Sequence, residues 1–293
     1  MTGFLPLRSQ EYATNIEMLS QQLTARLAPF TRMQTGATGK AIRMLSQVSS
    51  TNTVDVTTSA TPAMNIDVNF DGRWVYPRKK GWGSVIDDLE LLQTNISPQG
   101  VLVQSAVAAL QRDKDNLFLS AFFGDSQTGE TGATTTSFNS NNVVAQTVGS
   151  TTGLNVDKIR TAMKVLLRNN VNIDMEQVYC GITSTQWFNL TGETIVTSRD
   201  FAGNGVNTTG KLPNLYGMNF VITEYLPTDA SGYRRCPVWV TSGMGQAIWK
   251  DISGRLRSRG DLFDDPSYAE ASMQVGFTRL EEAKCVEIKC AES

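Results

Sequence analysis

The feature that most limits how this chain can fold is the segment from 97 to 123, where apolar residues recur at intervals of three and four. That spacing predicts an amphipathic helix. Ser97 suits the N-cap of such a helix, and Pro98 suits its first turn. At ~1.5 Å per residue the helix would be about 40 Å long. The sequence therefore predicts one helix that is long for a domain in a chain of 293 residues.

The glycine-rich stretch after this helix has nearly the spacing of a phosphate-binding loop. Gly124, Gly129 and Thr131 match that motif, but Glu130 stands where the motif has lysine. A carboxylate at this position would repel the phosphates that the lysine binds. The stretch also follows a helix, whereas a phosphate-binding loop follows a buried strand. We therefore interpret Gly124 as the residue that closes the helix and the later glycines as turn residues.

The composition limits the chemistry that is available to the chain. With 26 Lys+Arg against 28 Asp+Glu, there is no basic excess for tight nucleic-acid binding. The absence of histidine excludes triads with an imidazole base and zinc sites with a histidine ligand. The four cysteines have neither zinc spacing nor the density of a disulfide framework, so we expect reduced thiols. We find no secretion signal and no apolar run long enough to span a membrane.

The residue pattern between 35 and 84 predicts a long two-stranded β-ribbon. Apolar and polar residues alternate from 66 to 71, which is typical of a half-exposed strand. Asp71-Gly72 signals a turn or bulge, and the extended pattern resumes at 74–76. A two-stranded ribbon is unstable in isolation. We therefore expect this ribbon to pack on another protein surface.

The segment from 154 to 249 predicts a mixed subdomain in which strands and helices alternate. Its elements are a helix at 155–168, a strand at 178–182, a helix that starts at 183, and strands at 218–226 and 236–243. The tail beyond 254 returns to strands, because apolar and polar residues alternate there in three stretches.

Three stretches, in this order, resemble the major capsid proteins of tailed phages with the Hong Kong 97-type fold. They are LSAFFGDSQTGETGATTTSF at 119–138, the helix and strand at 156–182 with Thr183 and Gln186-Trp187 after them, and LYGMNFVITE at 215–224. The resemblance implies an α+β chain with an N-terminal arm, an extended β-hairpin loop (E-loop), a long spine helix, and peripheral (P) and axial (A) domains. It implies the arm at 1–34, the E-loop at 35–84, the P domain at 85–153 with 246–293, and the A domain at 154–245.

The resemblance also implies a function. Such a protein assembles through pentamers and hexamers into the icosahedral head that encloses the double-stranded DNA of a tailed phage. We expect assembly in the host bacterial cytoplasm, a place in the virion, and no enzymatic activity, cofactor, metal, membrane or small-molecule substrate. The expected partners are other copies of the chain, a portal, packaged DNA in loose non-specific contact, and a separate scaffolding protein, because no long charged helical extension precedes the fold. The sequence does not decide whether a decoration protein also binds.

Two alternatives to the coat protein remain at this point. The first, within the same fold, is an encapsulin-like nanocompartment shell that carries an enzyme cargo. The second, from another class, is a soluble enzyme with a carboxylate-based site in 154–245.

Basic and aromatic residues between 73 and 82 are candidates for subunit contact, because Trp, Tyr and Arg are favoured at interface hot spots. They are Arg73, Trp74, Tyr76, Arg78, Lys79, Lys80 and Trp82. The alternatives are binding of single-stranded nucleic acid and a plain solvated loop.

A second candidate set for subunit contact is Arg255, Arg257 and Arg259, which would share one face of a strand. We expect these arginines to pair with the nearby aspartates at 261, 264 and 265, within the chain or across subunits. Contact with packaged DNA is the less favoured alternative.

Overall fold

The computed structural model describes residues 20–48, 51–57, 66, 68, 70–86, 99–149, 153–197, 212, 214–263 and 265–292. Within these residues there are four α-helices: α1 (Gln99–Phe123), α2 (Val156–Arg168), α3 (Ser184–Thr191) and α4 (Thr194–Thr197). The described strands are β1 (Arg32–Thr35), β2 (Ile42–Val48), β3 (Phe70–Val75), β4 (Arg78–Ile86), β5 (Ser126–Thr128), β6 (Thr134–Thr136), β7 (Val143–Val144), β8 (Val178–Ile182), β9 (Met218–Ile222), β10 (Arg234–Val240), β11 (Met244–Ser258), β12 (Ser267–Arg279) and β13 (Cys285–Cys290).

The chain divides into two compact units. The small unit combines the described residues of 1–25, 79–113 and 251–274. The large unit combines those of 26–78, 114–250 and 275–293. Helix α1 and strands β11 and β12 each contribute residues to both units. One four-stranded sheet has the order β1-β11-β12-β4.

The core of the large unit is a five-stranded mixed sheet in the order β7-β13-β10-β8-β9. β10 pairs antiparallel with β13 and with β8, whereas β13–β7 and β8–β9 are parallel pairs. Trp239 of β10 is fully buried, stacks on Tyr179, and donates its indole N–H to the carbonyl of Phe30 at 2.8 Å. Phe118 of α1 packs on the same indole with ring centroids 4.9 Å apart. This aromatic cluster joins the sheet, the long helix and the segment before β1.

Helix α2 confirms the helix predicted from the apolar spacing at 155–168. Asn155 is its N-cap, and the Asn155 side chain accepts the backbone N–H of Lys158 at 2.7 Å. The face with Ile159, Ala162 and Leu166 is fully buried. The strand predicted at 178–182 is β8, and Thr183 with Gln186 forms the capping box that starts α3.

Residues 35–84 do hold a two-stranded ribbon, but one of its strands, β2, was not marked by the alternation of residues. Strands β2 and β3 pair antiparallel from Ile42↔Val75 to Val48↔Phe70. Its sheet has two further strands, because β3 also pairs with β5 and β5 pairs with β6. Asp71-Gly72 lies inside β3, so the prediction of a turn there was wrong; the register shift instead falls between Arg43 and Leu45 of β2. Ile66 and Val68 precede the strand, which begins at Phe70.

The described part of the small unit contains β4 from Lys79, the distal parts of β11 and β12, and the first half of α1. Gly254 of β11 faces α1 closely, since an added Cβ would lie 2.8 Å from Val103 Cγ1. Gly83 of β4 leaves room for the ring of Tyr268 from β12 in the same way. These glycines let the helix and strands pack at short distance.

Candidate subunit-interface residues

The first two candidates on β3, Arg73 and Trp74, contact other groups of the same chain. Arg73 is only 7 % exposed, and its guanidinium lies 3.8 Å from the carboxylate of Asp71. Trp74 donates its indole N–H to the carbonyl of Gly129 at 2.9 Å. An added Cβ on Gly132 would lie 2.9 Å from the Trp74 ring and 3.0 Å from the Tyr76 hydroxyl. Arg73 and Trp74 are therefore committed to contacts within the chain.

Asp71 explains what the glycine-rich stretch does. Its Oδ1 accepts the backbone N–H of Gly72 and that of Gly129, both at 2.8 Å. Gly129 and Gly132 have φ of +90° and +74°, a region that side chains disfavour. The N–H of Gly124 bonds the carbonyl of Ser120 at 2.9 Å, which confirms that this glycine closes the helix. The stretch forms a β-hairpin, β5–β6, whose first strand pairs with β3 of the ribbon.

The remaining candidates of this set are more accessible. Tyr76 and Arg78 are exposed and line an open groove of about 520 Å³ in the large unit, together with Asp125 and Gln127. In the small unit Lys79 is exposed, and Lys80 lies 3.6 Å from the carboxylate of Asp113. Trp82 is half-buried on the same face of β4 as Lys80. Of the seven candidates, Tyr76, Arg78 and Lys79 present the most surface to a neighbour.

The three tail arginines are paired within the small unit. Arg255 and Arg257 share the carboxylate of Glu270, with Arg257 at 3.2 Å. Arg259 pairs with Asp261 at 2.7 Å, as the sequence predicted. The hydrogen bond between these two groups raises the pKa of Arg259 and lowers that of Asp261. The pairs form on an exposed surface, where a single pair contributes little stability.

Arg279 is a buried contact centre that the sequence did not reveal. Its side chain is fully buried at the end of β12. Its guanidinium donates to the carboxylate of Glu282 at 2.9 Å and to four backbone carbonyls, those of Ala121, Phe122, Gly124 and Thr136. Three of these carbonyls lie at the C-terminal end of α1, where unpaired carbonyls favour a cation. Arg279 therefore holds together the end of the long helix, β6 and β12.

Asp115 has a similar role near the start of the described chain. It is fully buried on α1, and its carboxylate accepts the backbone N–H groups of Arg26, Leu27 and Ala28 at 2.8–3.2 Å. These N–H groups precede or open the short 3₁₀ helix Ala28–Phe30, where no intrahelical partner exists. The carboxylate thus anchors the segment that leads into β1.

One cluster in the large unit resembles a serine–lysine catalytic pair. Ser242 Oγ lies 2.7 Å from Lys284 Nζ, and Glu176 bonds both groups. Burial disfavours the Lys284 charge, but Glu176 and Glu281 outweigh it and raise the pKa of this lysine. A serine–lysine pair needs a neutral lysine as base, whereas the shift of the Lys284 pKa is upward.

The carboxylates of 154–245 whose pKa is displaced also fail the requirement for a general acid. Burial raises the pKa of Glu176, but hydrogen bonds from Ser242 and Lys284 outweigh it, and the net shift is downward. The hydrogen bond from Lys289 lowers the pKa of Asp229. A general acid near neutral pH needs a raised pKa. In the part of the chain that the structure describes, no three potential ligands cluster as a metal site, and no helix is long and apolar enough to cross a membrane.

The four cysteines are free thiols, as predicted, and all four are buried. Burial raises the pKa of Cys180 and Cys285, which keeps them protonated at neutral pH. Neither of these two thiols has the lowered pKa of a reactive cysteine.

Comparison with known proteins decides the identity of the chain. A family model described as phage capsid protein matches residues 6–292. The chain belongs to the phage capsid protein family. No curated protein matches the sequence.

Solved structures confirm the Hong Kong 97-type fold of this capsid protein. The capsid structure of cyanophage P-SCSP1u has a TM-score of 0.75 at 17% identity, over 100% of this chain and 96% of that chain. The cyanophage Pam1 capsid asymmetric unit has a TM-score of 0.76 at 12% identity, over 99% of both chains. The head structure of Helicobacter pylori bacteriophage KHP40 has a TM-score of 0.72 at 13% identity, over 98% and 96%.

The capsid family and the fold identify the chain as a major capsid protein of the icosahedral head, located in the virion. They favour neither the nanocompartment shell nor the soluble enzyme. Capsid proteins of this fold self-assemble into capsomers, so other copies of the chain are its principal partner. The family and the fold are those of structural proteins.

Proposed function

We propose that this capsid protein builds pentamers and hexamers by laying the β2–β3 ribbon of one subunit on a neighbouring subunit. The observation that carries this proposal is a set of exposed apolar side chains at the ends of β2 and β3 and in the described residues between these two strands. Val48 and Val54 are each 57 % exposed, and Val56 and Phe70 are each 68 % exposed. Ile66 and Val68 are 44 % and 36 % exposed.

Exposed apolar side chains gathered in one segment of the chain suit an interaction surface. Full burial of a valine or phenylalanine side chain is worth about 1.5–3 kcal/mol. Several such side chains on one ribbon therefore offer a contact of useful strength, repeated at every subunit of a shell. The ribbon is identical in every copy and must meet a different surface of the next copy, which gives a head-to-tail contact that closes into rings.

The domain assignment that we propose follows from the resemblance to the family. Residues 1–34 form the N-terminal arm, 35–84 the E-loop, 85–153 with 246–293 the P domain, and 154–245 the A domain. The β2–β3 ribbon lies within the proposed E-loop. The exposed Tyr76, Arg78 and Lys79 would widen its contact, since the first two line the groove beside it.

The proposal extends to the other partners of the shell. The shell encloses double-stranded DNA in loose contact, which the balanced charge of the chain favours, with 26 basic and 28 acidic residues. A separate scaffolding protein guides assembly in the host bacterial cytoplasm, and a portal occupies one vertex. No enzymatic activity is part of this function.

The test is a paired substitution on the ribbon. Val54→Ser with Val56→Ser removes two exposed apolar side chains, and Asn52→Ser is the matched control, since it changes a neighbouring exposed polar residue to the same serine without removing apolar surface. The unassembled double variant should melt like wild type, because these side chains are already in solvent. Its yield of sedimenting shells with scaffolding protein present should fall at least tenfold, by the tenfold-per-1.4 kcal/mol scale. Wild-type shell yields from the double variant would contradict the proposal.

A further inference from the structure

An open groove of about 560 Å³ runs along the exposed face of helix α2 in the large unit. It is lined by three cations four residues apart and by three apolar side chains: Arg160, Lys164, Arg168, Met163, Leu167 and Tyr216. Leu167 is 59 % exposed and Tyr216 is 52 % exposed. The groove therefore combines a row of positive charge with apolar side chains that are in contact with water.

The local structure explains two of the cations but not the third. Arg160 pairs with Asp157 at 3.3 Å, one turn earlier on α2. Arg168 lies in the last turn, where the helix dipole favours a cation, and it donates to the carbonyl of Asn141 at 3.4 Å. Lys164 makes no hydrogen bond or ion pair with any residue that the structure describes. The folded subunit therefore leaves this lysine available to a partner.

Tyr216 occupies a strained backbone position at the edge of the groove. Leu215 and Met218 exchange two backbone hydrogen bonds, of 2.9 and 3.2 Å, around a two-residue turn. Both turn residues have positive φ, 51° at Tyr216 and 80° at Gly217. This pattern matches a type I′ turn, whose first position favours asparagine, aspartate or glycine. Strain of this kind is typical of functional positions, and here the strained residue supplies one wall of the groove.

The turn packs against α2, so the groove exists before a partner binds. A Cβ added to Gly217 would lie 3.7 Å from Ile173 Cγ2 and 4.0 Å from Met163 Cε, which are ordinary packing distances. Met163 is only 8 % exposed and belongs to the core of the large unit. A preformed groove lowers the entropy that a partner must overcome on binding.

The spacing of the cations indicates the chemistry of the partner. Side chains four residues apart on a helix are about 6 Å apart along its axis. Carboxylates at the same interval on a second helix would face Arg160, Lys164 and Arg168 together. Apolar side chains beside those carboxylates would cover Leu167 and Tyr216, as amphipathic helices do in other grooves. A phosphate backbone would use the cations but would leave Leu167 in water.

We propose that this groove is a docking site for an acidic amphipathic helix carried by another protein. Complementary charge and the apolar walls define the partner. The groove lies outside the β2–β3 ribbon and away from the three tail arginines. The inference therefore goes beyond the proposed shell function, because it adds a partner of another kind to the copies of the chain that build the shell. The contact can be measured on the unassembled subunit, so its failure is distinct from a failure to form shells.

The test titrates a fluorescein-labelled synthetic helix with unassembled subunit and follows fluorescence polarisation. The peptide carries three glutamates at four-residue intervals with leucines beside them, and its control has glutamines in place of the glutamates. We expect saturable binding of the acidic peptide only, and weaker binding as salt is raised. Lys164→Glu should lower the affinity by roughly tenfold or more, and Leu167→Ser should lower it too. Lys40→Glu makes the same charge change at another exposed lysine of the large unit and should bind like wild type.

Tyr216→Asn separates a binding role from a structural one. Asparagine suits the turn, so this variant should melt at or above the wild-type temperature, yet it should bind the peptide roughly fivefold less tightly. Absence of saturable binding, or wild-type affinity in either Lys164→Glu or Tyr216→Asn, would overturn the inference. Tighter binding of a single-stranded oligonucleotide than of the peptide at the same salt would overturn it in favour of nucleic acid. Subunit association that Lys164→Glu abolishes would overturn it in favour of a second copy of the chain.

Discussion

Replacement of Arg279 tests whether one buried cation holds the end of the long helix to the closing strands. Arg279→Met keeps much of the side-chain volume but removes every donor. Four backbone carbonyls and the carboxylate of Glu282 then lose their partner inside the large unit. The guanidinium is fully buried, while the Glu282 side chain is 15 % exposed.

The expected cost follows from the chemistry of the groups left behind. A hydrogen bond to a charged group contributes about 1.5–3 kcal/mol, and values within one cluster do not add. Removal of one partner from a buried ion pair costs about 3–5 kcal/mol. Since Glu282 can take up water, we expect Arg279→Met to lower the free energy of unfolding by about 3–4 kcal/mol, at the lower end of that range.

The assay is urea denaturation of the unassembled subunit, followed by circular dichroism. Arg279→Lys should fall between wild type and Arg279→Met, because an ammonium has three donors and lacks the planar fork of arginine. Arg255→Met is the matched control: its side chain is 69 % exposed, so loss of its pair with Glu270 should cost less than about 1 kcal/mol. A loss below about 1 kcal/mol for Arg279→Met would refute the account of a buried clamp.

Three further predictions concern anchoring, backbone strain and pH. In the wild type, two carboxylate oxygens of Asp115 accept three backbone N–H groups, and Asp115→Asn leaves only one oxygen to accept them. The substitution should lower the free energy of unfolding by about 1–3 kcal/mol and speed trypsin cleavage after residue 26. The control Asp113→Asn should do neither. Gly132→Ala combines positive φ with a close neighbour, so calorimetry should show a lower melting temperature than for Gly232→Ala, which has positive φ but open space. The pKa of Glu176 lies below its ordinary value of 4.5, so the stability that its ionised form contributes is present above pH 4.5 and is lost as the pH falls through the lowered pKa. Glu176→Gln should therefore destabilise the subunit more at pH 7 than at a pH below 4.5, and an equal deficit at both would contradict the assignment.

The elements that were predictable are those whose signals are local. Helix α2 and strand β8 follow directly from periodicity, and the Thr183–Gln186 capping box lies within one turn of sequence. Gly124 closes α1 because glycine suits a helix end. The order of these elements also supported the resemblance to capsid proteins, which the family match confirmed.

The buried contacts of Arg279 and Asp115 were not predictable, because the partners of these two side chains are distant in sequence. Arg279 meets carbonyls about 150 residues away, and Asp115 meets backbone groups almost 90 residues away. Backbone carbonyls and N–H groups carry no residue identity, so no sequence pattern marks them as partners.

The turn prediction at Asp71 failed for a physical reason. Aspartate before glycine usually bonds the backbone of its own turn. Here the Asp71 carboxylate bonds Gly72 and also Gly129, which belongs to another hairpin, and the backbone stays extended. The pairing of the tail arginines was predicted in part. Arg259 pairs with the nearby Asp261, as the sequence predicted. The sequence analysis did not name Glu270 as the partner of Arg255 and Arg257. The subunit-contact roles of the ten candidate residues stay predictions.

The most direct test of self-assembly is light scattering on a sizing column, with negative-stain microscopy of the leading fraction, on protein co-produced with its scaffolding protein. The account predicts closed shells, or rings of hexamer size, in that fraction. A species that stays monomeric at every concentration with scaffolding protein present would contradict it.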